Sequence, residues 1–395
     1  MESSTQLESV RTFLARVAEK FSARPFTAHR LFRNGHAQTL AAFAWPRRHR
    51  FRSVLDDERL FGTGPGVQVL AHCRWQQDPT THPTIIIWHG IEGSSASTYM
   101  LGTAEKAFRE GFNVVRMNLR TCGGTEHLTS SVYHGGLSED LREVVRQLIE
   151  EDGLSRLFLV GFSRGGNMVL KLSGEYGSNP PKEVKGVVAI SPSVDLTASA
   201  ELILKRSNWI YHRDFVYRLK QRIRTKHKLF PGDYDIGGLS SIRTLRDFDN
   251  RFTARAHGFA DAEDYYYKAS SIRVIDQIHI PTLIIHAQDD PFIPFSPLRD
   301  AAIANNPYIL LIDPERGGHV AFVSERVARQ QSPNNQSDAA TAALAPEGEN
   351  GSATDRAQPH TNNNSHNTTV SSIDLDRFWA ESRAVEFCKL ANETL

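Results

Sequence analysis

The feature that most constrains this chain is a serine at the centre of Gly161-Phe162-Ser163-Arg164-Gly165, directly after the apolar run Leu157-Phe158-Leu159-Val160. The run has the length and composition of a buried strand, so the pentapeptide reads as a sharp strand-to-helix turn. Such a turn strains the serine backbone, lifts its hydroxyl clear, and demands glycine at 161 and 165, where a side chain would collide. The helix expected to follow, from Asn167 to about Tyr176, would point its N-terminal amides at the same spot. Ser163 is therefore the predicted nucleophile.

Short apolar runs recur along the chain with helical stretches between them, the alternation of a mostly parallel sheet covered on both faces. Strands are predicted near residues 49–55, 67–75, 84–89, 113–119, 156–162, 184–191, 281–287 and 308–313. The first two leave no room for a helix between them, which implies an antiparallel start. Residues 1–48 are expected to pack on the core as an N-terminal extension, with a short amphipathic stretch around Val10 to Phe21. The core itself is expected over 49–196 and 276–325. Residues 197–275 are far more than one crossover helix needs and are predicted to form a helical cap inserted after strand six. From 326 to 372, Gln, Asn, Ser, Thr, Ala, Gly and Pro dominate, a composition too polar to bury a core, so disorder is expected there. Leu375, Phe378, Trp379, Val385 and Cys388 then recur at near-helical spacing, predicting a final helix of the core over 373–395.

The 46 Lys and Arg against 45 acidic residues leave a net charge of +1, which gives no global reason to expect a nucleic-acid partner. Cys73, Cys122 and Cys388 are odd in number and widely spaced, which suggests neither a disulfide framework nor a zinc ribbon and fits a reducing, cytoplasmic setting. No continuous apolar core of a signal peptide opens the chain, and no spanning helix is expected. Neither a metal nor a cofactor is expected, since H-E-x-x-H, clustered Cys/His and full dinucleotide or phosphate-loop patterns are missing. Oligomeric state is not legible.

A serine hydroxyl needs a base within hydrogen-bond reach and a carboxylate to orient that base. The last strand is followed by Pro314-Glu315-Arg316-Gly317-Gly318-His319, which sets His319 on a glycine-bearing loop at a strand's C-terminal end, where a base belongs. Strand seven ends in Asp289-Asp290-Pro291-Phe292-Ile293-Pro294. Asp290 is favoured as the acid because this spacing resembles the usual acid-bearing turn of such sheets, leaving Asp289 as turn-former and loop-capping acceptor. Asp195 is a rival acid, read instead as the cap of the insertion's first helix. Oxyanion stabilisation calls for two backbone amides, assigned to Arg164, after the nucleophile, and Ile91, in the loop Trp88-His89-Gly90-Ile91-Glu92-Gly93. His89 is read as a brace of that loop, and Cys122 as part of a tight turn rather than a reactive thiol.

Several blocks together resemble one branch of the α/β-hydrolase superfamily, the group of bacterial YheT-type hydrolases, yeast medium-chain ethyl-ester synthases/esterases and animal membrane-anchored phospholipases and lipases. They are Arg33-Asn34-Gly35-His36-Ala37-Gln38-Thr39, His89 to Ser95, Asn118 to Glu126, Tyr133-His134-Gly135-Gly136, Gly161 to Asn167, Asp247-Phe248-Asp249 and Asp289-Asp290-Pro291. The resemblance covers roughly residues 25–325. It implies an α/β-hydrolase fold with an eight-stranded mostly parallel sheet and a capping insertion. It also implies nucleophile, acid and base at Ser163, Asp290 and His319, in the chain order of that superfamily. The animal relatives carry an N-terminal membrane anchor not seen here, so a soluble or peripheral enzyme is expected.

The expected chemistry is cleavage of carboxylic esters, of short- to medium-chain acyl groups or lipids, through an acyl-enzyme resolved by water. Resolution by an alcohol, giving ester synthesis, is the alternative, and a non-catalytic scaffold on the same fold is a third reading. Lys205 to Lys228 holds nine Lys or Arg and one acid, Asp214, interleaved with Trp209, Tyr211, Phe215 and Tyr217. Two readings stand for this run: peripheral contact with an anionic membrane or a phosphate-bearing substrate, and a solvated helix face.

Overall fold

A computed structural model describes residues 2–45, 47, 56–325 and 376–395 of the chain. Eight strands are present: β1 (Asp57–Gly64), β2 (Val67–Arg74), β3 (Thr84–Trp88), β4 (Asn113–Met117), β5 (Leu157–Phe162), β6 (Val184–Ile190), β7 (Thr282–Ile285) and β8 (Ile309–Ile312). They form one sheet in the order β1-β2-β4-β3-β5-β6-β7-β8. β2 runs antiparallel to both β1 and β4, and every pairing from β4 to β8 is parallel. The six parallel strands therefore all deliver their C-terminal ends to one edge, where an open α/β sheet binds ligands.

Seven of the expected strands lie where the apolar runs placed them, to within two residues at either end. The predicted first strand, 49–55, falls outside the described residues, and the strand that pairs with β2 is Asp57–Gly64. Its position was hidden by its edge location: only Phe61 and Thr63 are buried, so the segment shows no continuous apolar run. The central strands β3, β4, β5 and β7 are buried at every position, which is why they were legible.

Among the described residues, twelve helices accompany the sheet: α1 (Glu2–Ser22), α2 (Gly35–Ala44), α3 (Thr98–Arg109), α4 (Ser138–Glu150), α5 (Arg164–Tyr176), α6 (Leu196–Ile203), α7 (Trp209–Leu229), α8 (Leu245–Phe248), α9 (Ala254–Ala256), α10 (Ala262–Ala269), α11 (Ala301–Ala304) and α12 (Trp379–Thr394). On one face of the sheet α4 and α5 pack Leu141, Val144, Leu148, Met168 and Leu172 against Ile86, Trp88 and Leu159. On the other, α1, α3 and α12 bury Phe13, Val17, Met100 and Phe387 against Ile85, Ile87 and Phe158. Alternate residues of one strand thus feed two cores. The N-terminal amphipathic stretch is α1, its buried Val10, Phe13, Leu14, Val17 and Phe21 forming one stripe at helical spacing.

Two expected helix limits move. The helix after the nucleophile begins at Arg164, not Asn167, because Ser163 itself turns the chain. The final helix begins at Trp379, with Phe378 at its N-cap position, and Leu375 lies outside the described residues. So does the whole polar segment 326–372. Between β6 and β7 the chain forms α6 to α10, whose apolar side chains make two clusters of their own. Phe292 and Ile293, from the loop after β7, join the larger one, so these helices are packed onto the sheet's C-terminal edge.

Candidate active site

Ser163 sits between β5 and α5 with φ 54° and ψ −114°, a conformation that costs a non-glycine residue about 1–3 kcal/mol and persists only where the surroundings impose it. The surroundings do so through glycine. A Cβ on Gly161 would lie 2.2 Å from the carbonyl oxygen of Gly165, and one on Gly165 would lie 2.5 Å from that of Trp88. The Ser163 N–H donates to Ile190 O of β6 (2.8 Å), tying the turn to the neighbouring strand.

The structure brings Ser163, Asp290 and His319 together from the ends of β5, β7 and β8. His319 Nε2 is 2.9 Å from Ser163 Oγ, and His319 Nδ1 is 2.8 Å from Asp290 Oδ2. The carboxylate therefore fixes the ring with its proton on Nδ1, leaving Nε2 to accept from the serine. The other oxygen of Asp290 accepts the N–H groups of Phe292 (2.8 Å) and Ile293 (3.0 Å). Burial opposes ionisation of Asp290, but His319, His286 and the Phe292 amide outweigh it and hold the carboxyl below its ordinary range. Asp289 points elsewhere, with Oδ1 accepting the N–H of Gly318 (2.9 Å). Asp195 accepts from Ala198 N–H (3.0 Å) and caps α6.

Ile91 and Arg164 line one cavity with Ser163 and His319. A Cβ on Gly90 would sit 2.9 Å from Ser163 Cβ, so the loop after β3 presses directly on the serine. His89 braces that loop, as its position suggested. Its Nε2 accepts the Leu119 N–H (3.1 Å), which leaves Nδ1–H to donate to Gly90 O (2.7 Å). Burial lowers its pKa to about 4, keeping it in the neutral form this double role requires. Cys122 is buried, its thiol pushed up to about 12, beside Thr121 (φ 62°) and Gly123 (φ 69°) in a tight turn.

Two sets of positioning residues were not assigned roles from sequence. The first is the Asn34 to Thr39 block. Thr39 Oγ1 accepts the backbone N–H of His319 (2.9 Å) while donating to Gly35 O (2.7 Å). Gln38 accepts from Val323 N–H (2.8 Å) and donates to Val323 O (3.1 Å). Together with Ser191 Oγ, which accepts the Val320 N–H (3.1 Å), they clamp a loop in which Val320 (φ 49°) and Phe322 (φ 44°) are both left-handed. Left-handed β-branched residues are outliers, so this loop needs external holding. The second set is Arg222 of α7, whose guanidinium forks onto Glu92 (3.1 and 3.0 Å) and donates to Thr121 Oγ1 (3.0 Å). Glu92 follows Ile91, has φ 54°, and donates its N–H to Tyr133 Oη (3.0 Å). Helix α7 thus grips the loop that carries Ile91.

The cavity is about 70 Å³, against roughly 300–1,000 Å³ for sites that take drug-sized ligands. Leu196, Ile203, Phe215, Leu245, Phe292 and Ile293 make it largely apolar.

A single sheet whose one antiparallel strand is β2, a strained serine between β5 and its helix, and a histidine and a carboxylate delivered by β8 and β7 together define an α/β hydrolase. A family model described as alpha/beta hydrolase fold matches residues 83–325, and the chain belongs to that family. Among curated relatives, YheT of Escherichia coli K12 is 33% identical over 317 residues, covering 78% of this chain and 90% of that one. Monoacylglycerol lipase of Saccharomyces cerevisiae is 30% identical over 256 residues, covering 63% and 56%. Phospholipase ABHD3 of Bos taurus is 28% identical over 254 residues, covering 64% and 61%, so the chain spans only part of the length of these last two.

Proposed function

We propose that this protein is a serine hydrolase of carboxylic esters bearing short- to medium-chain acyl groups. The observation that carries the reading is the unbroken relay from Asp290 through His319 to a strained Ser163, which lines an apolar cavity. Relatives named a lipase and a phospholipase support an ester as the substrate class.

In this mechanism His319 Nε2 takes the proton of Ser163 as Oγ attacks the ester carbonyl, and Asp290 stabilises the resulting imidazolium. The N–H groups of Ile91 and Arg164 receive the charge that develops on the carbonyl oxygen, reinforced by the N-terminus of α5. Collapse expels the alcohol, protonated by His319, and leaves an acyl group on Ser163. Water, deprotonated by the same ring, then releases the acid and restores the serine. The same acyl-enzyme can also be resolved by an alcohol in place of water, which gives ester synthesis.

We read residues 197–275 as the cap of this hydrolase and the rest of the described chain as its core. Three buried free thiols fit a cytoplasmic setting. Hydrolysis of p-nitrophenyl esters from acetate to palmitate, by the native protein and by Ser163→Ala at matched folding, tests the reading. Activity with a chain-length optimum, abolished by the substitution, supports it, and equal activity of the two proteins removes it. Product analysis with added ethanol separates hydrolysis from ester synthesis.

A further inference from the structure

Helix α2 has two working faces. Gln38 and Thr39 face inward onto the His319 loop. His36, Leu40 and Phe43, at i, i+4 and i+7, share another face. Leu40 is 55% exposed and Phe43 82%, with Leu31, just before the helix, at 77%. The His36 ring stacks on Tyr211 of α7, centroids 5.8 Å apart and planes 8° from parallel. Tyr211 follows Trp209 and Ile210, which are 53% and 64% exposed. Two segments far apart in sequence thus meet at the His36–Tyr211 contact, and each carries exposed large apolar side chains nearby. Five exposed large apolar side chains gathered around one contact point to an interaction site rather than ordinary scatter.

Cations surround this patch. Arg33 precedes α2, and Lys205, Arg206 and Arg213 flank Trp209, all exposed. Arg213 lies over the Trp209 ring, 5.2 Å from its centroid. Asp214, the acid in this stretch, is committed to Arg218 (2.8 Å) and does not offset them. Exposed Trp, Phe, Ile and Leu rimmed by Lys and Arg suit the boundary between acyl chains and anionic headgroups. The patch also adjoins the reaction centre. Phe292 packs against Tyr211 on one side (4.7 Å) and His319 on the other (4.9 Å).

Resting on the ester-hydrolase reading, we propose that Leu31, Leu40, Phe43, Trp209 and Ile210 dock the enzyme on an anionic lipid surface, so that ester substrates enter from that surface beside Phe292. The substrate class is thereby narrowed to esters held in a bilayer.

Vesicle flotation of the full chain tests this, using phosphatidylcholine alone and with about a third anionic phosphatidylglycerol. Native protein and Ser163→Ala are both expected to float with the anionic vesicles and to detach at high salt. Leu40→Ser/Phe43→Ser and Trp209→Ser/Ile210→Ser are each expected to bind about tenfold or more weakly, since apolar insertion and electrostatic attraction are both needed for stable binding. Their turnover of soluble p-nitrophenyl butyrate should stay within about twofold of native, which reports intact folding. Native protein that fails to float, or variants that float like native, would overturn the proposal. So would a native dimer in light scattering that Leu40→Ser/Phe43→Ser makes monomeric, because the patch would then be covered by a second copy. Flotation of Ser163→Ala together with no ester hydrolysis by the native protein would uphold docking while removing the hydrolase reading.

Discussion

Replacing Arg222 by Met should damage both stability and catalysis, because one guanidinium connects the cap to the loop after β3. The Arg222 and Glu92 side chains are 9% and 7% exposed, so the substitution leaves a carboxylate buried without its counter-charge. Breaking a buried pair from one side costs about 3–5 kcal/mol. The same change frees Glu92, whose left-handed backbone adjoins Ile91, and losing one oxyanion donor costs about 10²- to 10³-fold in rate. Urea unfolding and kcat for p-nitrophenyl butyrate read the two effects separately. The double variant Glu92→Gln/Arg222→Met removes the orphaned charge and should regain about 1–3 kcal/mol of stability while kcat stays depressed, since α7 then no longer grips the loop. If Arg222→Met unfolds like native and turns over ester at the native rate, the cap does not hold this loop and the argument fails.

Other consequences are smaller but as definite. Thr39→Val preserves shape but leaves the His319 N–H without its acceptor, at a cost of about 1–3 kcal/mol; kcat should fall with KM unchanged and be restored by Thr39→Ser. Acid should weaken the fold well before carboxylates titrate. Burial lowers the pKa of His72, His89, His134, His212, His257 and His286, so the unfolded chain takes up protons that the folded one refuses. For His89 the interval from 6.5 to about 4 corresponds to roughly 3 kcal/mol, present above pH 6.5 and lost progressively as pH falls toward 4. Urea midpoints measured from pH 7 to 4.5 should drop steeply, and a flat profile would show that these rings are not held neutral.

The parts legible from sequence were those with local signatures. Strands buried on both faces announce themselves as unbroken apolar runs, and the serine turn and the Gly317-Gly318-His319 loop carry glycines that strain makes necessary. What escaped was contact between distant segments. Thr39 meets His319 across 280 positions, and Arg222 meets Glu92 across 130. No periodicity encodes such partners. One signal was available in α7, where Val216, Leu219, Ile223 and Lys226 form a buried stripe. A lysine at the end of an apolar stripe cannot belong to a solvated face, and Lys226 indeed donates to the carbonyls of Glu126 and Thr129. The basic run therefore divides, its outer residues facing solvent beside Trp209 while Arg222 and Lys226 pin the helix to the core.

The most direct test of the account is the mass of the enzyme after reaction with a fluorophosphonate. The account predicts one adduct, on the peptide that contains Ser163, absent from Ser163→Ala and greatly slowed in His319→Ala. A folded native protein that takes up no adduct, or takes it up at another residue, would contradict it.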